Sequence, residues 1–127
     1  MSVDLVAQIP YAEELGIELS SATRECVEGG LDWAPELCTA GQVLHGGVVM
    51  AFADSLGAIC AYLNLPPNAQ TATLESKTNF FHAVRGGRVT GTARPLHVGR
   101  SSIVVQTEVD NEGERVALVI QTQAVLH

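Results

Sequence analysis

Two patterns of apolar residues divide this chain. From Val48 to Leu65 they run almost unbroken for 18 residues, rich in Ala, Leu and Met, until Pro66 and Pro67 stop them. A run of that length exceeds an ordinary strand and predicts a helix. Apolar side chains fall on every side of its turn, so the helix is expected to be buried all round. Elsewhere the apolar positions alternate. Between Ser101 and Val109 the residues Ile103, Val105, Thr107 and Val109 share one face. Asp110-Asn111-Glu112-Gly113 then reads as a hairpin turn, and Arg115 to Leu126 as the closing strand. Thr71–Ala83 and Arg88–Val98 are further predicted strands, joined by a turn at Arg85-Gly86-Gly87, with a bulge or edge position near Pro95.

Upstream of the long helix the signals are weaker. Residues 2–14 predict a short helix or two turns, with Leu5, Val6 and Ile9 facing inward. Leu15 to Val27 reads as a strand, Gly29-Gly30 as a turn, and Leu31 to Ala34 as a second strand before a loop over 35–44. The predicted order is helix, two strands, long helix, four strands. One α+β domain over residues 1–127 satisfies it, with a single antiparallel sheet wrapped around the central helix.

Composition narrows the partners. With 46% apolar and 17% charged residues, 127 positions suffice for a core without metal or disulfide staples. Cys26, Cys38 and Cys60 are odd in number and form no CxxC pair, which points to a reducing, cytoplasmic setting. The central run has about the length of a short membrane span. Asp54 within it, its interior Gly57 and its lack of basic flanks argue against one, and Asp4, Gln8 and Pro10 interrupt any signal segment. A net charge of −7 disfavours nucleic acid and anionic membranes. Five of the seven basic residues (Lys77, Arg85, Arg88, Arg94 and Arg100) nevertheless lie between Ser76 and Thr107, where no acid occurs. They are either solvated strand and turn residues or a patch for a small polyanion.

The chemistry concentrates at the central helix. His45-Gly46-Gly47 opens it, and a helix start offers unpaired N–H groups and the positive end of the dipole. Glycine lets a substrate approach that backbone closely. Asp54 is a lone carboxylate on an apolar helix, a costly placement without a partner or a task.

Taken together, Leu44-His45-Gly46-Gly47, Asp54-Ser55-Leu56-Gly57 and Pro95-Leu96-His97-Val98-Gly99-Arg100 resemble the hotdog-fold acyl-CoA thioesterases. The similar branch contains the phenylacetate-pathway, 4-hydroxybenzoyl-CoA and enterobactin-pathway proofreading thioesterases. The resemblance runs from about Gly41 to the C-terminus. It implies that the N–H of Gly46, with Gly47 beside it and His45 before it, serves as oxyanion donor. It further implies that Asp54 acts as nucleophile or general base and that Thr73 orients the water. The turn from His97 to Arg100 would belong to the coenzyme A site, and Arg88 and Ser101 complete the candidate binding set. Thr39 occupies the place where relatives carry Asn or Gln, with Gln42 three residues nearer, and Ala58 stands where some carry Ser or Thr. Coenzyme A would be part of the substrate, with no separate cofactor and no metal; an acyl-carrier thioester is the other substrate form.

One consequence is geometric. Gly46 and Asp54 are eight residues apart, roughly 12 Å along one helix axis. Both cannot reach one carbonyl from the same helix, so a shared site requires a second, antiparallel copy and a two-fold homodimer. Pairing of dimers into tetramers accompanies this in many relatives. Three rival readings are weaker. A hotdog hydratase would need an acid–base residue at Ile59, Cys38 and His45 have no sequence cue placing them together, and Cys38, His45 and Cys60 lack zinc-ligand spacing. A non-catalytic acyl-CoA sensor of the same fold is the alternative from another class.

Overall fold

The computed structural model describes residues 4–127. Six strands form one sheet in the order β1-β2-β4-β5-β6-β3, every neighbouring pair antiparallel. The strands are β1 (Glu18–Ala22), β2 (Val27–Asp32), β3 (Gln70–Phe80), β4 (Arg88–Val98), β5 (Ser102–Asn111) and β6 (Glu114–Leu126). A short helix α1 (Pro10–Leu15) precedes them, and the long helix α2 (Gly46–Leu63) lies across the sheet's inner face.

Alternation decides which face is which. Ile103, Val105, Thr107 and Val109 of β5 are all buried, as are Ala117, Val119, Gln121, Gln123 and Val125 of β6. Against them α2 presents Val49, Phe52, Ala53, Leu56, Ile59 and Cys60. The helix sits close because the strands beneath it are thinned by glycine. A Cβ on Gly91 would meet Leu56 at 2.6 Å and Phe52 at 2.7 Å, and one on Gly29 would meet Leu56 at 3.0 Å. Gly29-Gly30 is therefore the middle of β2 and not the predicted turn. The reversal falls instead at Thr23–Cys26, where the Thr23 hydroxyl accepts from the Cys26 N–H at 3.2 Å. The predicted strand over Leu15–Val27 breaks into β1 and this turn for the same reason.

Other expectations meet the structure more closely. The pairing of β4 with β5 slips between Pro95 and His97, a bulge where one was expected. The β5–β6 hairpin turns through Glu112 (φ 53°) and Gly113 (φ 83°), the two positive values that fit the strands' twist. Of the predicted N-terminal turns, Val6 is buried and Leu5 and Ile9 pack against the core, while residues 1–3 lie outside the described set. Pro10 begins α1 where its missing N–H costs nothing.

The central helix departs from prediction in one respect that matters. It begins at Gly46, two residues early, and it is not buried all round. Gly47, Met50, Ala51, Asp54, Ala58 and Tyr62 stay open to solvent in whole or in part, a stripe at three- and four-residue spacing. Met50 is 41% and Tyr62 51% exposed. Beside the stripe runs β3, an edge strand of 11 residues with one side unpaired.

Phe52 tests the seat of α2. Phe52→Ala should lower the unfolding free energy by about 3–5 kcal/mol in urea titration. A change under about 1 kcal/mol would mean that the glycine-lined groove does not grip the helix.

Candidate active site

The first turn of α2 has its own wiring. His45 stands just before the helix in an extended conformation, and its Nδ1 accepts the Gly47 N–H at 2.7 Å. The His45 carbonyl accepts from Val48 at 2.9 Å and Val49 at 3.2 Å. Among the described residues, this leaves Gly46 as the first-turn N–H with no partner. The N–H of Gly47, beside it, is taken up by the His45 ring. Because Nδ1 accepts, a neutral His45 ring carries its proton on Nε2. His45 is a side-chain cap, which fits an orienting role and not that of a base.

Gly46 opens onto a cavity of about 360 Å³ lined by Thr39, Val43, Val49, Phe80, Phe81 and Val84 among others. A Cβ at Gly46 would stand 3.3 Å from the Phe80 ring, so the glycine keeps the wall open beside the free N–H. Thr39 shares this wall, with its N–H bonded to the Val43 carbonyl at 2.8 Å. Gln42 does not line it. Its backbone is held left-handed at φ 61°, and its carbonyl accepts from the Trp33 indole at 3.2 Å. That conformation costs a non-glycine residue about 1–2 kcal/mol.

Asp54 lies on the open stripe of α2, half-buried, with two donors on one oxygen. Its Oδ1 accepts from Gln121 Nε2 at 3.1 Å and from the Thr73 hydroxyl at 3.4 Å. No described residue donates to Oδ2. The carboxylate is therefore held by one edge and presented by the other. Thr73, the residue to which the resemblance gave the orienting of the water, stands beside the acid.

Gln121 was missed by the sequence reading. It is fully buried on β6, with its amide stacked over Gly57 so closely that no Cβ fits there. The carboxylate can only accept, so the Gln121 amide must point its NH₂ at Asp54, and its own oxygen is left without a partner. Glycine within a helix costs about 1 kcal/mol, and a buried unpaired acceptor about 1–3 kcal/mol. A signal existed in the sequence. Gln121 and Gln123 interrupt the inward face of an otherwise apolar alternating strand, and Gly57 interrupts the helix opposite.

The remaining candidates lie elsewhere. The turn carrying His97, Gly99, Arg100 and Ser101 is tied to the chain end, with Ser101 O accepting from Val125 N and Arg100 O bonded to His127. Ser102 pairs with Ala124, whereas Phe80, beside Gly46, pairs with Ala117. Seven strand residues separate those rows, roughly 23 Å. Arg88 is engaged on the sheet's outer face, 2.8 Å from both Asp32 and Glu18. Cys38 and His45 do line one cleft, but the thiol donates to Ala34 O at 3.4 Å and the ring accepts from Gly47. Burial pushes the Cys60 thiol up to about 11, with Cys26 adding to the rise, so it stays a thiol at neutral pH.

This geometry has relatives. The family model described as "Thioesterase superfamily" matches residues 41–118, from the loop before α2 into β6. The chain belongs to the thioesterase superfamily. A putative esterase from Vibrio cholerae is 39% identical over 84 residues, covering 65% of this chain and 56% of that protein. The 1,4-dihydroxy-2-naphthoyl-CoA hydrolase of Escherichia coli is 36% identical over 73 residues, 58% of this chain and 54% of the hydrolase. Each match thus spans little more than half of the relative's length. A Haemophilus influenzae thioesterase crystal structure superposes with a TM-score of 0.87 at 28% identity, covering 92% of this chain and 82% of that one. The sheet curled about one long helix is this superfamily's hotdog fold, and membership places the chain among thioester hydrolases. The helix long and apolar enough to cross a membrane is α2, which is mostly buried in this fold.

The cap can be tested by itself. His45→Ala should cost about 0.5–2 kcal/mol of stability by thermal or urea unfolding. An unchanged midpoint would show that the Nδ1 bond does not hold the helix start.

Proposed function

We propose that this thioesterase-superfamily protein hydrolyses acyl-CoA thioesters, with Gly46 as oxyanion donor and Asp54 as the reacting carboxylate. The observation that carries this reading is the pairing of two unsatisfied groups on one helix. One is the lone first-turn N–H, opening on an apolar cavity. The other is a half-exposed carboxylate whose Oδ2 is free. Attack on a thioester builds negative charge on the carbonyl oxygen, and a preorganised N–H at a helix start stabilises it. Asp54 either adds to the carbonyl carbon, giving a mixed anhydride that water then cleaves, or takes the proton of an attacking water. In both cases the sulfur leaves as coenzyme A thiol. Thr73 would steady the carboxylate or its water.

The two groups serve one substrate only if they come from two copies. The exposed stripe around Asp54 suits a second helix, because Gly47, Ala51 and Ala58 allow close approach. The free edge of β3, with Leu74 65% and Phe80 50% exposed, suits continuation of the sheet by a second β3. We therefore read the active form as a two-fold homodimer with two shared sites, open to further pairing as a dimer of dimers. His97, Gly99, Arg100 and Ser101 would then meet the coenzyme A portion of a site whose Gly46 belongs to another copy. Arg88 would join them only by releasing Asp32 and Glu18. Thr39, and Gln42 by movement of its loop, are the candidates for contact with the acyl carbonyl. The apolar wall of Val43, Val49, Phe80 and Phe81 favours an uncharged aryl or medium-chain acyl group. Coenzyme A enters as part of the substrate, as the name of the Escherichia coli relative suggests, and a carrier-protein thioester is the related possibility. A cytoplasmic location completes the reading.

Thiol release from a panel of acyl-CoAs, aryl-CoAs and acyl-carrier thioesters tests it. Turnover of at least one thioester is expected, with kcat reduced about 10²–10⁴-fold in both Asp54→Ala and Asp54→Asn. Stoichiometric binding with no thiol release from any of them would overturn hydrolysis and leave an acyl-CoA sensor.

A further inference from the structure

The acid of the proposed site is held from beneath by a residue that nothing so far assigns a role. We infer that Gln121 is a positioning residue that clamps Asp54 Oδ1 through its amide NH₂ and so presents Oδ2 to the substrate. This rests on the reading of Asp54 as the reacting carboxylate.

Four observations converge on it. Gln121 is wholly buried on the inner face of β6, between the apolar Val119 and a second buried glutamine, Gln123. Its Nε2 lies 3.1 Å from Asp54 Oδ1, shorter than the 3.4 Å of Thr73, so Gln121 makes the closer hold. The helix residue above its amide is Gly57, and any side chain there would collide with it. The carbonyl oxygen of Gln121 finds no partner, so the amide is not placed to satisfy itself. Its orientation serves the carboxylate.

The charge environment makes this hold legible. The inner positions of β3 opposite β6, Thr71, Thr73, Ser76 and Thr78, are all uncharged, as Gln121 and Gln123 are on β6. Glu75 turns to the outer face and accepts from the Thr122 hydroxyl at 2.8 Å, and Lys77 pairs in register with the outward Ile120. On α2 itself the open stripe carries no second charge. Among the described residues, the direct polar contacts of Asp54 are therefore the neutral donors Gln121 and Thr73.

Three variants and one direct measurement test the inference. Gln121→Leu keeps the volume and removes the N–H. It should lower kcat about 10- to 100-fold with KM changed less than about threefold. Gly57→Ala, which displaces the amide without altering it, should do the same. Thr73→Val should lower kcat less than Gln121→Leu. Should either core variant fail to fold, the wild-type protein still decides the matter. A through-hydrogen-bond NMR coupling between the Gln121 side-chain nitrogen and the Asp54 carboxyl carbon should be detectable, and Asp54→Asn should move the Gln121 amide resonances. Absence of that coupling with amide resonances unmoved by Asp54→Asn, or a Gln121→Leu protein with unchanged kcat, would overturn the positioning role. If Asp54→Asn itself retains full turnover, the reading of Asp54 has failed instead, and the two failures are distinct.

Discussion

The seating of α2 on a glycine-thinned sheet is the constraint from which the rest of the molecule follows. Gly29 and Gly91 remove the side chains that would hold the helix away, and Phe52 and Leu56 fill the space they leave. A helix held that tightly cannot bend, so its two chemical ends are fixed as well. Gly46 offers its N–H at one end of the cavity, and Asp54 stands two turns along on the open side. The distance between them is a property of the helix and not of any loop.

Of the polar groups buried beneath that helix, one reaches the carboxylate. A core of valine and isoleucine at Gln121 and Gln123 would be more stable, since each glutamine leaves its carbonyl oxygen unpaired. The second glutamine reaches only Thr71, at 3.4 Å, while the first reaches the acid. Stability is given up where it orients a carboxylate, a trade found at sites of function. The cap at the other end follows the same logic. By taking the Gly47 N–H, His45 leaves one donor whose direction is set by the helix, in place of two competing ones.

Much of this was legible in the sequence. The unbroken run after Gly46-Gly47 located α2, the alternation in β5 and β6 gave both strands and their inward faces, and Pro95 marked its bulge. The misreading of Gly29-Gly30 has a physical cause. Two adjacent glycines signal a turn locally, and only the helix packed against them reveals a groove. Burial of α2 all round was misjudged because alanine, methionine and tyrosine look alike to periodicity whether they face a sheet or an unoccupied side. At the site, the helix start and Asp54 were visible as motifs. Gln121 was not, because its role depends on a contact across 67 positions of chain. The turn from His97 to Arg100 was recognisable as a motif, but its separation from Gly46 belongs to the sheet register.

Two fixed groups too far apart to meet on one helix make reciprocity the central claim. On the proposed reading, each copy lends its acid to the other's amide. Subunit complementation tests this most directly, using Asp54→Asn in one chain and Gly46→Pro in the other. Proline suits the first position of a helix, and the extended His45 before it accepts a following proline, while the N–H is lost and the ring crowds Phe80, so the donor end of that copy is disabled. Each variant alone should be inactive. Mixed by co-refolding in equal amounts, they should recover about one quarter of wild-type activity, because half the dimers are mixed and each has one intact site. No recovery from mixtures shown to contain mixed dimers, or full activity in a strictly monomeric preparation, would contradict the account.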